Sequence, residues 1–331
     1  MDLRYGSADE NVRKRSIRDV ILHEGQKFEK VQNGFPSDTG FYLEAEPSLL
    51  CPSRAGELAV ISAVNRLAAG GIRAGIFTPV ILLPPGTQED VLRELMRQIC
   101  RTAFAHKIRI GEVKAEVTDA VTRPIVIGTA AGDRFCELCP AGYPAAGESD
   151  IILAGPVGME GTYILVCEQF QALRERFSMS ILARMKGLNE KLSVLPIAER
   201  AAEKSEKAGT VPVMVSLGEG GFFAGLWELS KKTGCGLDID LQSVPLLQET
   251  IEITDFFGIN PYSMRSAGSL LIAAADGKKI QRRLEEEGRI AVRIGKLTAG
   301  KEKIIRNGED VRYLDRPQTD TLASMPGLFM R

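Results

Sequence analysis

Histidine and net charge are both scarce in this chain. Only two histidines, His23 and His106, occur among 331 residues, which excludes most zinc sites and most histidine general bases. Lys and Arg number 42 against 43 Asp and Glu, giving a formal net charge of -1. Because this balance gives no broad attraction to nucleic acid or to an anionic membrane surface, neither is expected as a partner.

Long apolar runs are missing as well. The longest, such as Val80 to Leu83 beside flanking prolines, fall far short of the roughly 18 residues that span a bilayer. The segment from Met1 to Arg18 is polar and of mixed charge, so it lacks the apolar centre of a secretory signal. We therefore expect a cytoplasmic protein with no membrane segment.

The cysteines show no framework spacing; they stand at positions 51, 100, 136, 139, 167 and 235. In a reducing compartment we expect them to be buried or idle thiols. Cys136 and Cys139 form a lone Cys-x-x-Cys, and a metal site needs two further ligands that no nearby pair supplies. A structural role is therefore favoured for this pair over metal binding or redox chemistry.

The composition is that of an ordinary globular protein, with 44% hydrophobic and 26% charged residues. At roughly 100 to 200 residues per domain, the length predicts two domains. The stretch from Pro140 to Asp150 is dense in Pro and Gly, as domain connectors often are. We place the boundary there, with a first domain at 1–148 and a second at 149–331.

Strands and helices alternate in the first half. Residues 56–69 favour a helix that stops at Gly70 and Gly71, and the apolar run 76–83 favours a buried strand. Thr87 and Asp90 resemble a capping box that opens an amphipathic helix running past Ala103. Further strands are expected at 108–117 and 124–130.

Two strand, glycine turn and helix units open the second half. The first has a strand at 151–154 and a helix at 162–177, and the second has a strand at 211–216 and a helix at 222–232. Later elements are predicted as strands at 237–241, 269–275 and 289–294, helices at 248–257 and 277–287, and a hairpin turning at Asn307 and Gly308. The tail after Pro317 is expected to be loosely held.

The two glycine turns are candidate phosphate sites, because a glycine-rich turn at a helix start presents unpaired backbone N–H groups and the positive end of the helix dipole. Their residues are Gly155, Gly158, Gly161 and Thr162 in the first turn, and Gly218, Glu219, Gly220 and Gly221 in the second. Neither matches the Walker or Rossmann spacing. Glycines also serve tight turns and close packing alone, so both interpretations stay open.

Several short motifs, taken together, resemble the aminoimidazole ribonucleotide (AIR) synthetase superfamily. They are Pro144 to Leu165, Trp227-Glu-Leu229, Gly234-Cys-Gly236, Phe257-Gly-Ile-Asn-Pro261, Ser266 to Ile272 and Ile294-Gly-Lys296, with Glu46-Pro47, Gly56, Ala59 to Asn65 and Gly111-Glu112 in the first half. Within that superfamily, the motifs are most similar to those of the hydrogenase-maturation carbamoyl dehydratase and its relatives. The resemblance extends from about residue 41 to about residue 315.

This resemblance implies an α/β (α+β) fold of two domains. The N-terminal domain would be a mixed sheet with helices that pairs with a second copy in a homodimer, and the C-terminal domain would be α+β. The resemblance also implies nucleotide near the dimer interface, with ATP held through Mg²⁺ by acidic residues. A maturation partner protein is a further implied partner.

The sequence departs from the family at those acidic motifs. Asn65 is followed by Arg66 where the family has Asn-Asp, and Ser216 stands where it has an aspartate. Glu46 and Glu112 keep carboxylates and are the candidate metal ligands that the resemblance leaves. Because an arginine repels a cation, Arg66 is expected to contact a phosphate directly instead.

The expected function is therefore that of a hydrogenase-maturation-like protein with a degenerate ATP–Mg²⁺ site that binds a small phosphate-bearing or nucleotide ligand. The chain ends in Arg331, whereas the carbamoyl dehydratase carries a terminal cysteine. Two alternatives stay open. One is an active ATP-dependent enzyme using Glu46, Glu112 and Glu219 as a rearranged metal shell, and the other is a non-enzymatic dimeric scaffold.

Overall fold

A computed structural model describes residues 51–136, 149–203 and 211–325, together with the backbone of the strand at 42–48. The connector at 137–148, which includes Cys139, lies outside the described residues. None of the helices in the described part of the chain has the length and apolar character needed to cross a membrane.

The first sheet is mixed, as expected. Its strands are β1 (Tyr42–Ser48), β2 (Ile72–Leu83), β3 (Arg109–Ile110), β4 (Lys114–Val117) and β5 (Ile125–Arg134), in the order β1-β5-β2-β3, with β4 also on β2. β1 and β2 flank β5 in antiparallel pairs, while β3 and β4 run parallel to β2. The single strand expected at 108–117 is thus two short strands, interrupted near Gly111.

Two helices belong to this half, α1 (Ala55–Ala69) and α2 (Glu89–Ala105). α2 has the amphipathic character expected of it, but no capping box forms. Its N-cap is Gln88, which makes no side-chain cap, and the Thr87 hydroxyl donates to the Pro84 carbonyl at 2.6 Å. This bond closes the preceding Pro-Pro-Gly turn, so the Thr87 hydroxyl does not cap α2.

The second sheet has seven strands: β6 (Asp150–Ala154), β7 (Val213–Ser216), β8 (Gly236–Asp240), β9 (Leu270–Ala274), β10 (Ala291–Thr298), β11 (Lys303–Asn307) and β12 (Asp310–Tyr313). Their order is β12-β11-β8-β10-β6-β9-β7. β11 runs parallel to β8, and the other neighbours are antiparallel. The expected hairpin is confirmed, since Asn307 pairs with Asp310 across its turn.

Seven helices accompany this sheet among the described residues: α3 (Met159–Glu168), α4 (Phe170–Arg174), α5 (Met179–Lys186), α6 (Leu195–Ala202), α7 (Gly221–Thr233), α8 (Gln248–Phe257) and α9 (Gly277–Glu286). The helix expected at 162–177 begins three residues earlier and is interrupted at Gln169. α5 and α6 were not predicted, because each spans only eight residues and shows too few turns for a clear apolar period.

Helix α1 joins the two halves. Its Val60, Val64 and Leu67 pack in the core under the first sheet. Its Leu58 and Ile61 pack with side chains of α3 and α5, and Ala68 and Ala69 pack near β6 and β9. The whole helix is therefore almost fully buried. A domain boundary near residue 148 remains a proposal, and α1 belongs physically to both halves.

The described part of the tail, residues 318–325, is anchored by buried contacts, which corrects the expectation of a loose segment there. Asp320 is 1% exposed and Leu322 is 0% exposed. Leu322 joins the same core as Met159 and Tyr163, and the Thr321 N–H donates to the Ser263 carbonyl at 3.2 Å. One buried leucine and one buried carboxylate are enough to fix the segment.

Candidate functional site

The first glycine turn is closed by protein. The N–H of Gly158 donates to Ser266 Oγ at 2.9 Å, and the N–H of Gly161 donates to the Arg265 carbonyl at 3.0 Å. Gly155 has φ +88°, and a Cβ there would lie 2.3 Å from the Gly268 carbonyl oxygen. The N–H groups of Gly158 and Gly161 are therefore paired within the fold, and close packing accounts for Gly155, while phosphate binding at this turn stays a prediction.

Thr162 is also committed within the fold. Its side chain is fully buried, donates to the Gly158 carbonyl at 2.9 Å and contacts the Thr250 hydroxyl at 2.9 Å. The hydroxyl thus ties α3 to α8. Its position favours a structural role over contact with a phosphate.

Beside this turn lies a buried ion pair that the sequence did not reveal. Glu160, 1% exposed, accepts from Arg265 Nε at 2.8 Å and from the Ala267 N–H at 3.0 Å. Burial alone would lower the pKa of Arg265, but the charges of Glu160 and Asp320 outweigh it and raise that pKa. The pair fixes the 265–267 segment against the start of α3.

The second glycine turn does hold an anion, and it comes from the chain itself. Gly220, at φ +72°, caps α7, and its N–H donates to Asp320 Oδ2 at 2.8 Å. The other carboxylate oxygen accepts from the Leu322 N–H at 3.0 Å. The positive end of α7 favours the ionised form of this carboxyl group, but burial outweighs it and raises the pKa of Asp320 to about 6. A phosphate at this N–H would have to displace the tail.

The remaining members of this turn differ in exposure. Gly218 is half-buried, and its carbonyl accepts from the N–H groups of Gly221 and Ser266. Glu219 is exposed. Gly221 is buried, and a Cβ there would lie 2.3 Å from the Met264 carbonyl oxygen. Of the four residues, Glu219 presents the most accessible side chain.

The Asn65 side chain joins two segments of the chain by hydrogen bonds. It is 2% exposed, its Nδ2 donates to the Leu192 carbonyl at 2.7 Å, and its Oδ1 accepts from the Val194 N–H at 2.8 Å. Both polar atoms of the amide are used to join α1 to the segment before α6. The side chain is therefore committed to the fold.

Arg66 points to a different neighbour. Its Nη1 lies 3.8 Å from Glu228 Oε2 on α7, and the other oxygen of Glu228 lies 3.0 Å from Lys232 Nζ. Burial would raise the pKa of Glu228, but Lys232 and Arg66 outweigh it and hold that pKa below its usual value. Two cations therefore share one ionised carboxylate at this point.

Ser216, the second altered position, ends β7 and is 8% exposed. α1 packs against β7, so the helix that carries Arg66 and the strand that carries Ser216 are direct neighbours. The fold thus brings together the two elements on which the resemblance places aspartates. In this chain those elements supply a guanidinium and a hydroxyl.

Glu46 and Glu112 do not form a pair within one sheet. Glu46 on β1 is opposite Gly128 on β5, and Gly128 is opposite Pro79 on β2. Glu112, which is exposed, follows β3 on the far side of β2. Three strand spacings, about 14 Å, separate the two backbones. Because strand side chains project away from the sheet plane, one ion shared by both is not supported.

Within the described ranges, no group of three or more His, Cys, Asp or Glu side chains is arranged to hold a metal ion. The residues that the sequence missed are Glu160, Glu228, Arg265 and Asp320. Each of them has a partner far away along the chain, 100 residues in the case of Asp320 and Gly220. Local spacing carries no signal for such pairs.

Comparison with known proteins shows which family the chain resembles. Residues 151–307 match the model of the AIR synthase related protein C-terminal domain. The chain is 26% identical over 254 residues to the carbamoyl dehydratase HypE of Rhodobacter capsulatus. This alignment covers 74% of this chain and 70% of that protein. These matches confirm the predicted resemblance to the AIR synthetase superfamily. The similarity to HypE agrees with the resemblance to hydrogenase-maturation proteins that the motifs indicated.

Solved members of the AIR synthetase superfamily share the fold. A HypE–HypF complex aligns with a TM-score of 0.70 at 16% identity, covering 91% of this chain and 100% of that one. A HypE structure in complex with ATP aligns with a TM-score of 0.69 at 18% identity, covering 97% and 98%. The predicted two-domain AIR-synthetase-like fold is therefore confirmed.

Proposed function

We propose that this protein is a hydrogenase-maturation-like member of the AIR synthetase superfamily in which internal ion pairs replace the magnesium–ATP site. In this proposal it binds a phosphate-bearing or nucleotide ligand and does not turn over Mg²⁺-ATP. The relationship to HypE supports the maturation role. Its cytoplasmic location is part of the same proposal.

The ion pair of Arg66 with Glu228 carries this proposal. A magnesium site needs several oxygen ligands around one cation, whereas Glu228 here already faces Arg66 and Lys232. Two unit charges about 4 Å apart interact by roughly 4 kcal/mol at an effective dielectric near 20. A divalent cation entering beside Arg66 would meet repulsion from the guanidinium, reduced below this figure by the solvent that reaches the 43% exposed side chain.

A phosphate group fits beside Arg66 better than a magnesium ion does. A guanidinium presents N–H groups in a planar fork that matches phosphate oxygens, and the side chain of Arg66 is 43% exposed. A phosphate would replace Glu228 as its partner and leave Glu228 to Lys232. ATP is the first ligand to test, because one structural neighbour is a HypE in complex with ATP.

An ATPase assay with two restored aspartates tests the loss of turnover. We expect the native protein to hydrolyse Mg²⁺-ATP far more slowly than the about 1 per second of competent enzymes. The double variant Arg66→Asp, Ser216→Asp is expected to gain Mg²⁺-dependent ATP binding, because it restores the acidic pattern. The matched control is Arg93→Asp, Ser180→Asp, which makes the same charge changes on exposed helix positions. Native turnover near 1 per second would refute the proposal.

A protein-binding role is the second candidate, supported by the HypE–HypF complex among the structural neighbours. A homodimer belongs to both candidates, and the first sheet offers a surface for it. The half-buried side chains Ile76, Val80, Leu82, Ile125 and Ile127 alternate along β2 and β5 with those that face α1. We propose that a second copy of the chain covers this apolar face.

Light scattering after size exclusion checks the dimer. At micromolar concentration the native protein is expected at twice its 36.0 kDa chain mass. Val80→Glu is expected to give monomers, because an unpaired charge would be buried in the interface. Val113→Glu is the matched control, since Val113 is 38% exposed beyond β3. If the native protein is a monomer, or if Val80→Glu and Val113→Glu are both dimers, this face does not pair.

A further inference from the structure

An apolar groove follows the outer side of α2. Leu92, Met96 and Cys100 recur every four residues, so they form one row on the helix surface. The groove is lined by these three side chains together with those of Glu89, Arg93 and Arg97. Phe104 continues the row by one more turn and is 86% exposed. A large aromatic ring left in water at the end of an apolar row is typical of a surface that a partner covers.

The inner side of α2 makes its contacts within the chain. Leu95, Ile99 and Ala103 pack in the core under the first sheet, where α1 and β3 are the main neighbours of α2. The face proposed above for the homodimer is the opposite face of that sheet. The groove on the outer side of α2 therefore stays open when two first sheets pair.

The second half of α2 and the turn after it are basic. Residues 95–111 contain four Lys or Arg and no Asp or Glu. All four basic side chains are exposed, and they are Arg97, Arg101, Lys107 and Arg109. Arg97, Arg101 and Phe104 share one helix face, because they stand at positions i, i+4 and i+7. The exposed ring thus lies among positive charges.

Charge complementarity indicates what kind of segment fits this groove. The longest undescribed part of the chain, residues 1–41, carries seven basic and seven acidic residues, so it does not supply an acidic occupant. In a pairing of two α2 helices, Arg93 and Arg97 in the middle of the groove would face the same arginines of the second copy, and like charges oppose such contacts. An acidic segment of another protein avoids both difficulties.

We propose that the α2 groove binds an acidic amphipathic helix of a partner protein. The apolar side chains of that helix enter the groove and contact Phe104, and its carboxylates face Arg97 and Arg101. A helix laid into a groove by its apolar face is a common mode of peptide recognition. The proposal does not rest on ligand binding at Arg66 or on the sheet dimer, so the failure of either leaves it standing.

Fluorescence anisotropy of a labelled helical peptide tests the groove in the full chain. The probe has leucine at helical spacing, glutamate beside the leucines and alanine elsewhere, and its control has lysine in place of glutamate. We expect the glutamate peptide to bind with a dissociation constant of about 100 µM or less, and the lysine peptide at least about tenfold more weakly. Salt screens exposed charges, so raising it from about 0.05 to about 0.5 M should weaken the glutamate peptide several-fold.

Two variants at exposed positions locate the bound peptide. Phe104→Ser and Arg101→Glu are each expected to weaken the glutamate peptide about tenfold, because one removes the aromatic anchor and the other reverses a facing charge. The matched controls are Tyr313→Ser, at an aromatic side chain that is 66% exposed on β12, and Arg282→Glu, at an exposed position of α9. Both controls are expected to bind like the native protein.

Alkylation of Cys100, an exposed thiol of the groove, gives a second readout in the native chain. At ten times the dissociation constant, the glutamate peptide is expected to slow the reaction of Cys100 with a maleimide about tenfold, because roughly one groove in ten is then empty. The partly exposed Cys167 should react at an unchanged rate.

Four results would overturn the proposal. They are no binding of the glutamate peptide, equal binding by the Phe104→Ser variant, an unchanged rate for Cys100 in the complex, and protection of Cys100 by high protein concentration alone. The last result would mean that a second copy of the chain occupies the groove.

Discussion

Replacing Glu160 with alanine is expected to lower the free energy of unfolding by about 3 to 5 kcal/mol. Glu160 and Arg265 form an ion pair at 2.8 Å, and their side chains are 1% and 12% exposed. Removing the carboxylate leaves the guanidinium buried without its ion-pair partner and takes the acceptor from the Ala267 N–H. Urea unfolding followed by circular dichroism gives this free energy.

Glu89→Ala is the matched control for that variant. Glu89 also pairs with an arginine, Arg93, at 2.7 Å, but its side chain is 73% exposed. Exposed pairs of this kind contribute about 0.5 kcal/mol or less. Equal losses for the two variants would mean that the Glu160 pair does not support the turn before α3.

Asp320→Ala is expected to cost about 2 to 4 kcal/mol at pH 5, because the N–H groups of Gly220 and Leu322 lose their buried acceptor. The matched control is Asp315→Ala, whose side chain is 82% exposed and which should change stability by about 0.5 kcal/mol or less. The same urea unfolding measures both. A loss no larger than the control's would show that the tail is not anchored by this carboxylate.

The effect of Asp320 should also depend on pH. Burial raises its pKa from 3.8 to about 6, although Arg265 and the two backbone N–H groups oppose the rise. A raised pKa means that the folded state favours the protonated acid. Protonation of Asp320 therefore adds to the free energy of unfolding below about pH 4, and this contribution is lost as the pH rises through about 6. The loss amounts to roughly 3 kcal/mol. Asp320→Asn, which does not titrate, should remove this part of the pH profile.

The sequence was a good guide to elements with a clear local signal. Apolar periodicity and a glycine stop predicted α1 nearly to the residue, and the helix at 248–257 and the hairpin at Asn307 also match. β2 is longer than its apolar run because polar Arg73 and the irregularity beside Gly75 still pair with β5. The predicted ends of a strand were wrong where its pairing with a neighbouring strand continues beyond the apolar residues.

The candidate site was harder to predict, because its contacts join distant parts of the chain. A phosphate ligand was expected at the second glycine turn, and nothing local indicated that the tail would place the Asp320 carboxyl group there. Glu228 gave no signal until α1 and α7 were placed side by side. Tertiary folding alone creates these neighbours.

Calorimetric titration of the native protein with ATP, in the presence of magnesium and in the presence of EDTA, tests the replaced metal site most directly. If Arg66 contacts phosphate without a metal ion, ATP binds in EDTA and its dissociation constant changes less than about tenfold when magnesium is added. A gain in affinity well beyond tenfold on adding magnesium would contradict the account, because it would show that the chain still holds the ion.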